Sequence, residues 1–221
     1  NKDLFFDELT PDMIEEYEAW LANRNQKPNT IRFYLRTLNT LFCKAANNGM
    51  LSEERKLFSH VRLSYATTTK RALSEADILA LQNLKLEAGT TLAFARDMFM
   101  FSFYMRGMPF VDIAYLKKSN LKNGILTYRR KKTNQPLLVE WEQVHQEIVE
   151  RYAHQTEGSP YMFPIIKQTD GTEYKQYKRV QEKVNRTLKK LGIMIGLKTP
   201  LTAYVARHSW ASIARDMNIP I

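Results

Sequence analysis

The sequence offers little from which to build a metal, disulfide or membrane site. Cys43 is the single cysteine, which excludes an intramolecular disulfide and a cysteine-based zinc site. The four histidines, His60, His145, His154 and His208, are scattered, and the acids mostly dot helix surfaces. No metal and no other cofactor is expected. There is no run of about 18 apolar residues, and the most apolar stretch, Met98 to Met105, is far too short to cross a bilayer. The opening residues NKDLFFDEL lack the charge and apolar pattern of a secretory signal. No repeat or low-complexity tract is present. These absences point to a reducing cytoplasm and to no membrane partner.

Apolar residues and positive charge are plentiful. With 44% apolar residues and eleven Tyr, eleven Phe and three Trp among 221 residues, the chain can bury a substantial core and is not disordered. A formal charge of +10 and a pI near 9.6 favour a polyanionic partner, because a basic surface attracts phosphate and releases condensed counterions. Nucleic acid leads over a merely basic soluble protein. The charge is unevenly spread: residues 1 to 66 are close to neutral, and residues 67 to 221 hold the whole excess.

In the first third, Thr10 before Pro11 is a good helix start, and Met13, Ile14, Tyr17, Trp20 and Leu21 follow at helical spacing. A second helix is expected from Asn29 or Thr30, with Ile31, Tyr34, Leu35, Leu38, Leu41, Phe42 and Ala45 as its apolar stripe and Gly49 as its stop. Acids crowd Asp3 to Glu18, whereas Arg24, Lys27, Arg32, Arg36 and Lys44 run with no acid between them. One reading is a solvated helix face. The other is a helix that grips the DNA backbone through Thr30, Arg32, Arg36 and Lys44. Cys43, beside Phe42, reads as core filling. Ser64 to Arg71, reading SYATTTKR, reads as an interdomain linker.

Beyond it, Ser74 and Asp77 are spaced as a capping box, with a short helix expected through Leu84. Thr91 to Met105 is apolar nearly all round, the mark of a helix buried in a domain, and it runs directly into Arg106 and Gly107. Gly124 to Arg130 and Leu137 to Trp141 are strand-like and separated by KKTNQP, which predicts a β-hairpin with Lys131 and Lys132 near its turn. The four consecutive cations Arg129 to Lys132 either defend an edge strand against aggregation or meet an anion. Helices are expected over Glu142 to Tyr152, Glu173 to Leu191 and Leu201 to Arg215.

If the substrate is a phosphate, its charge must be met by Arg and Lys. Guanidinium forks match two phosphate oxygens and stay charged at any working pH. Each preorganised donor is worth about 10²- to 10³-fold in rate, by analogy with oxyanion holes.

A small helical domain, a buried helix ending in an arginine, a lysine-bearing hairpin and the box Ala206-Arg207-His208-Ser209-Trp210-Ala211 occur in that order. The order resembles the tyrosine recombinase (integrase) family, over nearly the whole chain. The resemblance implies a mainly α fold with a small β-hairpin or sheet. It divides the chain into a helical, SAM-like core-binding domain at 1–66 and a C-terminally truncated catalytic domain at 67–221. Arg207 matches the family's second catalytic arginine. Lys132 matches the hairpin lysine used as general acid toward the 5′ hydroxyl, with Lys131 its close competitor, and Asp112 matches the acidic position that buttresses the site. Arg129 and Arg130 are expected to contact DNA.

The sequence departs from the family pattern at three points. Pro109 stands where the first arginine is usual, so Arg106 is expected to reach the same phosphate from a shifted position. Tyr204 replaces the histidine three residues before Arg207; it is kept as a site residue, and His208 is given a structural role. The Gly-His segment and the nucleophilic tyrosine are not found, and the chain is expected to be a fragment that binds DNA without cutting it. The resemblance implies that the intact enzyme carries out site-specific recombination or integration. Strand cleavage and rejoining would pass through a 3′-phosphotyrosyl link, in a homotetramer on DNA, while a monomer stays open for this fragment. The alternatives are a non-catalytic DNA-binding accessory or regulatory protein of the same fold, and a metal-dependent nuclease.

Overall fold

A computed structural model describes residues 4–50, 56–65 and 71–219. The chain divides into two compact units, Asn1–Thr69 and Lys70–Ile221. Of the linker expected at Ser64 to Arg71, residues 66–70 lie outside the described residues.

The first unit is built on α1 (Pro11–Asn23) and α2 (Pro28–Asn47). Thr10 caps α1 by accepting the Met13 amide at 3.2 Å, and Pro11 occupies the first helical position, where no amide partner is lost. Pro28 plays the same part in α2, so that helix starts slightly earlier than the sequence suggested. It stops at Gly49, whose φ of 68° is left-handed. There the Met50 and Gly49 amides return to the carbonyls of Ala45 and Ala46, the paired bonds of a Schellman motif. Ile14 and Leu21 of α1 pack with Ile31, Leu35 and Phe42 of α2 and with Leu57, Phe58 and Val61 into one core. Tyr34 and Leu41, expected in the apolar stripe, are exposed. Cys43 is also exposed, contrary to the sequence reading. At about 100° per residue, a neighbour of Phe42 in sequence is turned off its face, and Cys43 lies one turn beyond Asn39, its hydrogen-bond acceptor.

The second unit is organised around α4 (Thr91–Tyr104), which packs against α3 (Glu75–Gln82), α5 (Phe110–Ala114), α6 (Gln143–Glu150), α7 (Glu173–Met194) and α8 (Ala203–Asp216). Met98, Phe99, Met100 and Phe101 are all buried, as expected for a helix enclosed on every side. Asp97 is buried among them, and its carboxylate accepts from Arg96, Arg151 and the Tyr152 hydroxyl at 2.9–3.1 Å, which ties α4 to the chain following α6. The Ser74–Asp77 capping box forms in both directions, although α3 ends at Gln82 rather than Leu84.

A three-stranded antiparallel sheet has the order β1 (Leu121–Lys122), β2 (Ile125–Arg129), β3 (Pro136–Glu140). The hairpin was expected; β1 and the five-residue α5 were not. Along β2, Leu126 and Tyr128 face the core while Ile125, Thr127 and Arg129 face out, the two-residue alternation of a half-buried strand.

Candidate active site

The site begins where α4 ends. Arg106 and Gly107 take left-handed φ values of 55° and 74°, which for the arginine costs about 1–2 kcal/mol. Ser102 offsets that strain. Its carbonyl accepts the Gly107 and Met108 amides at 2.8 and 3.1 Å, and its hydroxyl donates to the Met108 carbonyl at 2.7 Å. The turn therefore holds Arg106 at the surface while the residues on both sides of it are buried.

Gly107 is needed for a second reason. A Cβ there would stand 2.8 Å from the Cα of Arg207, so only glycine lets α8 come this close. Arg207 Nη1 donates to the Gly107 carbonyl at 3.1 Å. The other end of this contact is fixed by Ser209, which accepts the Leu73 amide and donates to the Val205 carbonyl, both at 2.9 Å. Thr202 gives α8 no side-chain cap; the Ala203 amide is met instead by Asn185 Oδ1 of α7 at 2.9 Å.

Arg106 and Arg207 line one hollow of about 220 Å³ together with Met105, Met108, Tyr128, Arg130, Gln135 and Trp210. No carboxylate is among the side chains lining it. Arg130, expected to contact DNA beside Arg129, thus lies with the two arginines of the site. Trp210, Gln135 and Tyr128 were also missed. For Arg130 and Tyr128 the signal was present in the strand alternation, since positions 126, 128 and 130 share one face. Burial, together with the charge of Asp112, pushes the Tyr128 phenol up to about 12; at neutral pH it is a hydrogen-bond donor.

Asp112, on α5, lies behind the hairpin with its side chain 1% exposed. Oδ1 accepts the Lys131 amide at 2.9 Å, and Oδ2 stands 3.9 Å from Arg130 Nε. Burial raises its pKa, while the Lys131 amide and the charges of Arg130, Lys131 and Arg207 pull it back down. The Lys131 ammonium lies 3.9 Å above the Tyr115 ring, in a neighbouring hollow that includes Asp112 and Glu173. Lys132 is exposed in the hairpin turn and lines neither hollow. Arg129 is a brace for that turn, donating to the Asn134 carbonyl at 2.9 Å. Tyr204 is 62% exposed and lies outside the arginine hollow; its ring packs edge-on against His208, with centroids 4.7 Å apart.

In the first unit, Arg32 and Arg36 lie one turn apart on the same flank of α2. Arg36 stacks over Tyr65 at 4.9 Å, and Arg32 keeps one guanidinium nitrogen enclosed without a hydrogen-bond partner. Thr30 points to the opposite side of the helix from Arg32, and Lys44 is roughly a quarter-turn round from Arg36. The four are therefore spread around α2, with Arg32 and Arg36 sharing one flank. Among the described residues no group of three or more His, Cys, Asp or Glu could hold a metal ion, and no helix is long and apolar enough to cross a membrane.

The site thus lies in the second unit, mainly helical with a small antiparallel sheet, where Arg106, Arg130 and Arg207 line one hollow. Residues 1–60 match the phage integrase SAM-like domain family. The chain is similar in fold to lambda integrase in a dimer bound to a core site (TM-score 0.67, 14% identity, 96% of this chain and 76% of that one). It is likewise similar in fold to the Tn1549 transposon integrase in complex with transposon right-end DNA (TM-score 0.61, 13% identity, 99% and 76%). A lambda integrase tetramer bound to a Holliday junction is similar over 99% of this chain and 61% of that one, at 14% identity and a TM-score of 0.63. No curated protein matches the sequence.

Proposed function

We propose that this chain binds double-stranded DNA and holds the scissile phosphate in a site-specific recombinase of the tyrosine type. The observation that carries the reading is the meeting of Arg106 and Arg207 in one hollow lined by no carboxylate, on an integrase fold. In this reading a tyrosine attacks the phosphate to give a 3′-phosphotyrosyl link and frees the 5′ hydroxyl of the other strand segment. Arg106 and Arg207 meet the charge that builds on the nonbridging oxygens. Lys132, unpartnered in the hairpin turn, protonates the leaving 5′ oxygen. A second strand's 5′ hydroxyl then reverses the step, and because the ester conserves the bond energy no ATP is consumed. Asp112 positions the hairpin through the Lys131 amide. Tyr204, exposed on α8, donates a hydrogen bond to the DNA.

The working assembly is a homotetramer on two duplexes, acting in the cytoplasm. The regulator alternative draws on Pro109, which occupies the usual arginine position, and on Tyr204, which occupies the usual histidine position and lies outside the hollow. A nicked suicide duplex, incubated with the gene product that contains this chain, separates the two: a covalent protein–DNA adduct supports the recombinase. Specific binding with no adduct would decide for the regulator, and an activity abolished by EDTA would replace both with a metal-dependent nuclease.

A further inference from the structure

The two adjacent arginines of the hairpin have opposite environments. Arg129 faces outward and spends a guanidinium N–H on the Asn134 carbonyl. Arg130, the residue after β2, continues the inward side of Leu126 and Tyr128, and its side chain is 21% exposed. Its backbone is fixed by hairpin closure: its amide donates to the Gln135 carbonyl at 2.9 Å, and its carbonyl accepts the Asn134 amide at 2.8 Å. Its Nε is enclosed with no hydrogen-bond partner. The nearest carboxylate oxygen, Asp112 Oδ2 at 3.9 Å, is beyond hydrogen-bond reach, and the other oxygen is committed to Lys131. A positive charge has thus been brought into the interior with half of its compensation missing, an arrangement that is costly unless something anionic completes it.

The hollow that Arg130 lines supplies the geometry for that anion, since Arg106 and Arg207 line it too. Among the described residues, one N–H donor of the three guanidinium groups has a protein acceptor, the bond from Arg207 to the Gly107 carbonyl. We infer that Arg130 is a third guanidinium of the phosphate site, donating to the same phosphate as Arg106 and Arg207. The inference rests on the recombinase reading above and deepens it. Arg130 fills the donor place left open by Tyr204, whose ring is turned out against His208. Asp112 is then a positioning residue that orients Arg130 without neutralising it, and Arg129 braces the turn without touching the phosphate.

Inorganic phosphate added to the 221-residue chain tests this, with the side-chain Nε–H signals of Arg106, Arg130 and Arg207 followed by NMR. All three signals are expected to move together along one binding curve. Arg130→Gln should weaken phosphate at least about tenfold, the loss of a charge-assisted hydrogen bond. Arg130→Lys should recover part of it, because an ammonium keeps the charge but not the fork, and Lys122→Gln, at an exposed position on β1, should leave it unchanged. A stationary Arg130 signal in the wild-type chain while those of Arg106 and Arg207 shift would overturn the inference and leave the recombinase reading standing. Wild-type affinity in folded Arg130→Gln would do the same. If none of the three signals moves, the phosphate site itself is lost, and the recombinase reading with it. The wild-type titration decides even if a variant fails to fold.

Discussion

The cations of α2 and those of the second unit's hollow have the same chemistry but opposite settings. On α2, Arg36 lies flat on Tyr65 at the surface, and its flank is set by helical spacing alone. In the hollow, Arg106, Arg130 and Arg207 come from a helix end, a hairpin and a second helix, each held by a separate device: the Ser102 clamp, the closed hairpin and the Gly107 contact. Surface cations on one helix supply affinity, which salt screens. Cations gathered from three elements supply geometry, which is what a reaction on one phosphate requires.

The largest expected effect lies in the hollow. Arg207→Ala should reduce DNA cleavage by the gene product containing this chain about 10²- to 10³-fold or more, with most DNA affinity retained in a gel-shift assay. Cleavage at the wild-type rate would remove Arg207 from the site. Gly107→Ala should come next, since it removes no cation yet forces α8, and Arg207 with it, outward. It combines a left-handed φ penalty of about 1–2 kcal/mol with overpacking of about 1–3 kcal/mol, visible as a lower melting temperature and weaker phosphate binding. If phosphate binding survived, the close approach of α8 would not be what forms the pocket.

A smaller effect concerns pH. The pKa of Asp112 is raised above 3.8 by burial, so its protonated form is favoured in the folded state. Its stabilising contribution is full below pH 3.8 and is lost as pH rises through the folded-state value. Wild type should therefore lose stability relative to Asp112→Asn as pH rises from acid toward neutral; parallel stability curves would show that the carboxylate is not desolvated. The smallest effect belongs to α2. Arg32→Ala and Arg36→Ala should each flatten the dependence of log K on log salt by about 0.9, one phosphate contact apiece, without changing cleavage of bound DNA. An unchanged slope would return this flank to being a solvated face.

Much of this was legible from the sequence because it depended on local pattern. The all-apolar run from Thr91 announced α4, the alternating run ending at Arg130 announced the hairpin, and Ser74 with Asp77 announced a cap. Arg207 was found in its motif and Arg106 by inference from a position shifted off its own, and tertiary packing brings both to one hollow. What escaped depended on reading linear proximity as spatial proximity. Cys43 was placed in the core because Phe42 is its neighbour, although one residue along a helix is a turn of about 100°. Arg130 was grouped with Arg129, although adjacent strand residues face opposite ways. The short α5 and β1 have too few residues for a period to emerge, and they exist because α4 and β2 give them something to pack on.

The clamp made by Ser102 gives the site a thermal and kinetic signature. One residue supplies a carbonyl to two amides and a hydroxyl to a third link, so the final turn of α4 and the seat of Arg106 are the same set of hydrogen bonds. Fraying that helix end by a single turn, the commonest local opening a helix undergoes, dismantles the arginine pocket before the unit unfolds. Amide exchange at Gly107 and Met108 therefore measures the fraction of molecules whose pocket is assembled.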